Sequence, residues 1–141
     1  CIRDRGDIEL DHVGIAVRSI AESVSFYEAL GLELTGTEDV PEQGVKVGFL
    51  PLGETRLELL EPLGNEGPVA RHLDRRGPGL HHVCVRVGDI RAAMARLAAA
   101  DYRLLSEEPQ LGAHGCLVCF VHPKDAGGVL VELSQPAVLE G

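Results

Sequence analysis

The stretch DHVGIAV at residues 11–17 resembles HHVCVRV at residues 81–87, with His12 and His82 at the same place in each. Both stretches alternate β-branched residues with small or polar ones, which is the pattern of a half-buried β-strand. His82 follows His12 by 70 positions. If other features recur at a similar spacing, the chain contains an internal duplication.

A helix with the same apolar spacing follows each of these strands. Apolar residues at i, i+4 and i+7 mark the face of a helix that packs on a core. Ser19 followed by Glu22 predicts a capping box at the start of the first helix, and Asp89 predicts a cap on the second. Gly31 predicts a left-handed end to the first helix. The two stripes are Ile20, Val24, Tyr27 and Ile90, Met94, Leu97.

Each half then continues with three further strands and closes on the same motif. The closing motifs are LELLEP at residues 57–62 and VELSQP at residues 131–136, so that Glu132 follows Glu58 by 74 positions. Between the halves, Pro68 to Arg76 predicts a short linking helix, with Gly77 after its end. The predicted strands are 34–37, 46–50, 56–60, 103–106, 117–121 and 129–133. We therefore predict one domain over residues 1–141, made of βαβββ modules at 8–63 and 79–137 joined by a linking helix within 64–78.

The composition excludes several classes of function. A formal net charge of −9 disfavours binding to nucleic acid, because the field of the protein repels a polyanion. Only five Phe and Tyr residues and no Trp are present, too few to favour a base-stacking platform. We find neither an apolar run of about 20 residues nor the apolar stretch of a signal peptide, and we expect a cytosolic protein.

Four polar residues recur at matching places in the two halves, and they suggest a metal site. Strand alternation puts His12 beside Gly14 and Ala16, so that small neighbours leave room for the imidazole. Glu58 and Glu132 each lie between apolar residues, and a carboxylate in such a place faces solvent or a compensating charge. Taken singly, each would more often be a hydrogen-bonded core histidine or an exposed glutamate. Because all four recur, we predict that His12, Glu58, His82 and Glu132 bind one divalent ion, for which Co²⁺, Mn²⁺, Ni²⁺, Zn²⁺ and Fe²⁺ are suitable.

The remaining cysteines and histidines carry weaker signals. Cys116 and Cys119 form a CxxC motif, but residues an odd number apart on a strand point to opposite faces, so we interpret them as buried small residues. His72 and His81 are interpreted as structural or exposed. His114 and His122 lie in loops that could line a pocket.

Six motifs give the chain a resemblance to a known family over residues 10–135. They are PEQGV at 41–45, GLHHV at 79–83, SEEP at 106–109, GAHG at 112–115, HPKD at 122–125 and GVLVEL at 128–133. With the duplicated His and Glu positions, the sequence resembles the vicinal oxygen chelate superfamily of glyoxalases, bleomycin resistance proteins and dioxygenases. Within that superfamily the motifs resemble the branch that epimerises acyl-CoA thioesters.

The resemblance implies an α+β fold in which two βαβββ modules form a cupped, eight-stranded mixed sheet around the metal. It implies that His12, Glu58, His82 and Glu132 are the ligands of one divalent ion per chain, with Co²⁺ first among the metals and Mn²⁺, Ni²⁺ and Zn²⁺ as others. The implied reaction interconverts (2R)- and (2S)-methylmalonyl-CoA by 1,1-proton transfer through a metal-chelated enolate. It also implies a small-molecule acyl-CoA substrate and a homodimer.

The resemblance also assigns residues to catalysis and substrate binding. Glu132 is implied as an acid and base as well as a ligand. Some family members carry a second glutamate base where this chain has Val47. Gln43 is expected to orient the substrate carboxylate, and Lys46, His114 and Lys124 are further candidates for substrate contact. For the phosphates of coenzyme A the candidates are Lys124 and the arginines of the linking helix, Arg71, Arg75 and Arg76.

Three other functions compete with the epimerase hypothesis. A glyoxalase I-like isomerase of a glutathione hemithioacetal uses a similar ligand set, but the HPKD and GAHG motifs favour the epimerase. An extradiol dioxygenase uses two histidines and one carboxylate on Fe²⁺, and a fourth protein ligand at Glu58 disfavours it. A metal-free binding protein of the bleomycin resistance type is disfavoured because all four ligand positions are present.

Overall fold

A computed structural model describes residues 8–137 of the chain. Within this range there are eight β-strands and three α-helices. The chain divides into two compact units, one of residues 12–81 and one of residues 82–137 together with 8–11, which we call the first and second unit. Among the described residues, no helix is long and apolar enough to span a membrane.

The first unit contains the elements that the first half of the sequence predicted. In chain order they are β1 (Glu9–Ala16, whose first three residues belong to the second unit), α1 (Ile20–Leu30), β2 (Gly36–Val40), β3 (Val45–Leu52), β4 (Thr55–Pro62) and α2 (Pro68–Arg76). The strand order is β2-β3-β4-β1, with β1 parallel to β4 and the other pairs antiparallel. Helix α2 is the predicted linking helix, and its bounds match the prediction.

The second unit repeats this arrangement. Its elements are β5 (Gly79–Arg86, which begins in the first unit), α3 (Ile90–Ala99), β6 (Gln110–Leu111), β7 (Leu117–Val121) and β8 (Val131–Gln135). The strand order is β5-β8-β7-β6, again with one parallel pair, β5 with β8. The predicted strand at 103–106 is wrong as a regular strand, because only Leu104 forms a bridge, with Val121. A turn closed by the Ser106 hydroxyl, which donates to the Glu108 carbonyl, ends this segment before Pro109.

The helix caps appear where the sequence predicted them. The Ser19 hydroxyl accepts a hydrogen bond from the Glu22 amide, and the Asp89 carboxylate accepts one from the Ala92 amide. Gly31 ends α1 with a φ of 108°. Asp101, 70 positions later, has a φ of 71° just after α3, so that an aspartate performs the turn that glycine performs in the first unit.

Each helix packs on its own unit through the predicted apolar stripe. In the first unit Ile20 and Val24 pack with Val17, Leu50 and Leu59, and Tyr27 lies against this cluster. In the second unit the corresponding cluster is Val87, Ile90, Ala93, Met94, Cys119 and Leu133, with Leu97 against it. Within the CxxC motif Cys119 is buried, as interpreted, and Cys116 is half-buried; Cys84 is also buried, and Cys1 lies outside the described residues.

Candidate metal and substrate site

In the first unit a buried histidine faces a buried glutamate. His12 lies on β1 and Glu58 on the parallel strand β4, where Gly14 is the register partner of Glu58. His12 Nε2 is 3.3 Å from Glu58 Oε1, and the two residues are 5% and 4% exposed. A carboxylate this deeply buried is very costly unless positive charge or hydrogen bonds compensate it.

Arg56 supplies part of that compensation. It lies two residues before Glu58 on β4, and residues two apart on a strand share a face. Its Nε donates a hydrogen bond to Glu58 Oε2 at 2.7 Å, and its Nη2 forms an ion pair with the same oxygen, also at 2.7 Å. The guanidinium also lies over the Phe49 ring, 5.9 Å from its centroid. Of the two Glu58 oxygens, Oε2 therefore faces Arg56 and Oε1 faces His12.

The second unit holds an equivalent pair. His82 lies on β5 and Glu132 on the parallel strand β8, where Cys84 is the register partner of Glu132. His82 Nε2 is 2.9 Å from Glu132 Oε1, and the residues are 7% and 8% exposed. The Phe120 ring meets the His82 ring edge to face at 5.7 Å. Phe120 is also the register partner of Glu132 on β7, as Phe49 is of Glu58 on β3.

The spacing within each pair fits ligation of one ion. Nitrogen and oxygen ligands at about 2.0–2.2 Å from a divalent metal, in tetrahedral or octahedral geometry, lie about 2.8–3.6 Å apart. The distances of 3.3 Å and 2.9 Å both fall in that range. Imidazole and carboxylate donors also suit the divalent transition metals. Each pair therefore has the chemistry and the spacing of two neighbouring metal ligands.

Gln43 ends a short 3₁₀ turn, Pro41–Gln43, which precedes β3. Its side-chain amide nitrogen is buried, and no acceptor among residues 8–137 forms a hydrogen bond with it. Leaving a buried donor unsatisfied costs about 1–3 kcal/mol. Such a donor is suited to binding an acceptor that arrives with a ligand.

Lys46 and Val47 lie on opposite faces of β3. Val47 is buried and pairs in register with Leu60, which puts it on the face that carries Glu58. Lys46 pairs with Glu61 on β4 and with Asp39 on β2, on the other face. The role of Lys46 in substrate binding therefore stays a prediction, and its neighbours there are two carboxylates.

His114 and Lys124 lie on exposed loops of the second unit. His114 has a left-handed backbone with a φ of 57° in the turn Ala113–Gly115. Lys124 lies in the turn Pro123–Ala126, where its amide donates to His122 Nδ1. The exposed arginines of α2 are Arg71, Arg75 and Arg76. Their roles in binding substrate or coenzyme A phosphates stay predictions.

Asp125 fastens the turn that carries Lys124. Its carboxylate accepts hydrogen bonds from the Arg103 backbone amide and from Nε and Nη2 of the same arginine, at 2.8–3.0 Å. These hydrogen bonds from Arg103 hold the pKa of Asp125 well below its usual value. Sequence reasoning missed this pair, because nothing in the first half of the chain corresponds to it.

Sequence reasoning also missed Arg56. The signal was present, since an arginine two residues before a buried glutamate on one strand shares its face. The position 74 residues later is Leu130, so the internal repeat did not point to it.

Comparison with known proteins places this site in a family. The sequence model of the glyoxalase, bleomycin resistance protein and dioxygenase superfamily matches residues 11–120. The chain therefore belongs to that superfamily, and its α+β fold is the glyoxalase-like one that the sequence predicted.

Relatives define the branch within it. Human mitochondrial methylmalonyl-CoA epimerase is 47% identical over 128 residues, which cover 89% of this chain and 73% of that protein. The ethylmalonyl-CoA/methylmalonyl-CoA epimerase of Cereibacter sphaeroides is 46% identical over 129 residues, 89% of this chain and 96% of that protein. A solved variant of Streptomyces coelicolor methylmalonyl-CoA epimerase, in complex with 2-nitronate-propionyl-CoA, is 36% identical with a TM-score of 0.89, covering 94% of this chain and 97% of that one. Within the superfamily, this chain is a member of the methylmalonyl-CoA epimerase family.

Family membership and the buried donors together support a divalent metal site. The candidate ligands are His12 of the first unit and His82 and Glu132 of the second.

Proposed function

We propose that the chain is a metal-dependent epimerase that interconverts (2R)- and (2S)-methylmalonyl-CoA by removing and returning the proton at the α-carbon. The observation that carries the proposal is the recurrence of a buried histidine and glutamate pair in both units, at distances of 3.3 Å and 2.9 Å. The proposed ligands are His12, Glu58, His82 and Glu132. A divalent ion held by them would polarise the thioester and carboxylate oxygens of the substrate and so acidify its α-carbon.

Glu132 is the proposed proton carrier on one face of the substrate. A carboxylate in a buried strand is sheltered from bulk water, so that a proton it accepts can return to the substrate. Val47 has no ionisable group and is 3% exposed, so the second proton carrier does not lie at that position.

Gln43 is the proposed donor to the substrate carboxylate. Its buried amide nitrogen has no acceptor among the described residues, and a carboxylate oxygen would satisfy it. An acyl-CoA without the carboxylate would leave the donor unsatisfied, which favours a malonyl-type substrate over a simple acyl-CoA.

Deuterium exchange tests the proposal. The purified chain with added Co²⁺ is incubated with (2S)-methylmalonyl-CoA in D₂O, and label at the α-carbon is followed by NMR together with formation of the (2R) form. We expect both to appear with wild-type protein and to be lost in His82→Ala and Glu132→Ala. His72→Ala, on helix α2, is the matched control and should keep wild-type exchange.

Two results would contradict the proposal. One is exchange at the wild-type rate in His82→Ala or Glu132→Ala, which would remove the proposed ligands from the chemistry. The other is turnover of methylglyoxal with glutathione and none of methylmalonyl-CoA, which would favour the glyoxalase I-like alternative. The homodimer implied by the family resemblance stays a prediction, which light scattering of the purified protein would test.

A further inference from the structure

Arg56 occupies one oxygen of Glu58 and leaves the other directed at His12. Both donor nitrogens of Arg56 contact Oε2, whereas Oε1 lies 3.3 Å from His12 Nε2. A charge-assisted hydrogen bond together with an ion-pair contact on one oxygen restrains the rotation of the carboxylate. In this arrangement only Oε1 is presented as a metal ligand.

The arginine is itself held in place. Its guanidinium lies over the Phe49 ring, and Phe49 is the register partner of Glu58 on the neighbouring strand. The Arg56 side chain is 27% exposed, which leaves most of its length packed. Arg56, Glu58 and Phe49 therefore form one contact set on one face of β3 and β4.

The second unit lacks this arrangement at its matching position. Leu130 stands 74 positions after Arg56, the same interval that separates Glu132 from Glu58. The arginine is thus a feature of the first unit and not a general requirement of the duplicated module.

The number of ligands shows why a single oxygen matters. An ion that prefers six ligands and takes one atom from each of four side chains keeps two positions open. The thioester oxygen and the carboxylate oxygen of the substrate require two. If Glu58 bound through both oxygens, one position would remain.

We propose that Arg56 is a positioning residue that holds Glu58 to one-oxygen ligation and so keeps two metal positions open for the substrate. The inference rests on the proposed function, since it requires that Glu58 be a metal ligand. Loss of the guanidinium would free Oε2 to bind the ion and displace one bound solvent molecule.

Water proton relaxation by bound Mn²⁺ measures this directly, because the signal scales with the number of exchangeable waters on the ion. In Arg56→Met we expect the relaxivity per bound Mn²⁺ to fall to about half of the wild-type value, as two open positions become one. Arg56→Lys keeps the positive charge but has only one donor nitrogen. Its relaxivity should lie between those of wild type and Arg56→Met. Arg91→Met, which removes an exposed arginine 3.5 Å from Glu108, is the matched control and should match wild type.

A second variant separates positioning from a general structural role. Adding Glu58→Gln to Arg56→Met gives a side chain whose amide binds through its single oxygen, and we expect the wild-type relaxivity to return. Wild-type relaxivity in Arg56→Met, or no recovery in the double variant, would overturn the role of Arg56 while leaving the epimerase proposal intact. Failure of wild-type protein to bind Mn²⁺ or Co²⁺ at all would overturn both.

Discussion

The His12 and Glu58 pair of the first unit and the His82 and Glu132 pair of the second arise from matching places in the repeat, yet their carboxylates have different neighbours. Both pairs bridge two parallel strands, and a phenylalanine is the register partner of each glutamate. Glu58 also accepts a hydrogen bond from Arg56 and forms an ion pair with it, where the second unit has Leu130.

This difference suggests how the two copies of a duplicated module can take different roles. Strand register, which both units share, fixes where the histidine and glutamate of each pair lie. The side chain two residues before each glutamate, Arg56 or Leu130, then determines whether that carboxylate accepts a further hydrogen bond. Arg56 holds one oxygen of Glu58 and leaves the other directed at His12, which suits Glu58 to the proposed ligation, whereas Glu132 is the proposed proton carrier.

Replacing each glutamate by glutamine should give the largest difference between the two units. Glu132→Gln should lower the rate of α-proton exchange by about 10³-fold, because general acid and base catalysis contributes about 10²–10⁴-fold and an amide cannot perform it. Glu58→Gln should lose about tenfold or less, because an amide oxygen can still ligate the metal. Exchange rates in D₂O at saturating metal measure both, and equal losses in the two variants would show that the carboxylates share one role.

The ends of α1 and α3 allow a second comparison between the units. Gly31→Ala should destabilise the fold by about 1 kcal/mol, because a Cβ is disfavoured at a φ of 108°. Asp101→Gly should stabilise it by a smaller amount, because glycine adopts a φ of 71° without strain. Chemical denaturation of both variants gives the two free energies of unfolding. A wild-type value in Gly31→Ala would show that the turn adopts another conformation without loss of stability.

The starts of these helices offer a finer test. A side chain from the last strand of each unit accepts a hydrogen bond from the first helical amide: Glu61 from Ile20 at 2.8 Å, and Gln135 from Ile90 at 2.9 Å. Gln135→Glu should stabilise the second unit by about 0.3–1 kcal/mol, because negative charge is favourable at a helix N-terminus. Glu61→Gln is the reciprocal variant and should destabilise the first unit by a similar amount. Thermal unfolding of the two variants therefore tests whether the two changes have opposite effects on stability.

The smallest effect concerns the turn that is longer in the second unit. Hydrogen bonds from Arg103 lower the pKa of Asp125 below 3.8, so the pair adds stability that is present above the unfolded pKa and is lost as the pH falls through the folded one. Wild-type protein should therefore be more stable than Asp125→Asn at neutral pH, and the difference should shrink below about pH 4. Melting temperatures of both proteins between pH 7 and about pH 3 measure it, and a constant difference would show that the pair does not titrate in this window.

Much of the fold could be predicted from the sequence, because the duplication supplied each element twice. Local signals with a defined mechanism, such as Ser19, Asp89 and Gly31, located the helix ends correctly. The prediction was wrong at residues 103–106, where a side-chain turn at Ser106 interrupts a segment whose composition favours a strand. Composition cannot show that interruption, because it depends on a hydrogen bond to a backbone carbonyl two residues away.

The site was predictable only in part, for a related reason. His12, Glu58, His82 and Glu132 stood out because each has a partner at the repeat interval. Arg56 has no such partner, and its importance appears only in the distance to Glu58. The buried amide of Gln43 likewise depends on how the 3₁₀ turn packs, which no periodicity encodes.

The two contacts from the last strand to the first helix have a consequence for motion. Strands β4 and β8 carry Glu58 and Glu132, and the same strands carry Glu61 and Gln135, which cap α1 and α3 over 41 and 45 residues of chain. If either strand opened locally, its helix would lose the acceptor at its first turn, so the two elements are expected to open together. Each strand that carries a proposed metal ligand is therefore fastened to a packed helix, which restrains the position of its glutamate.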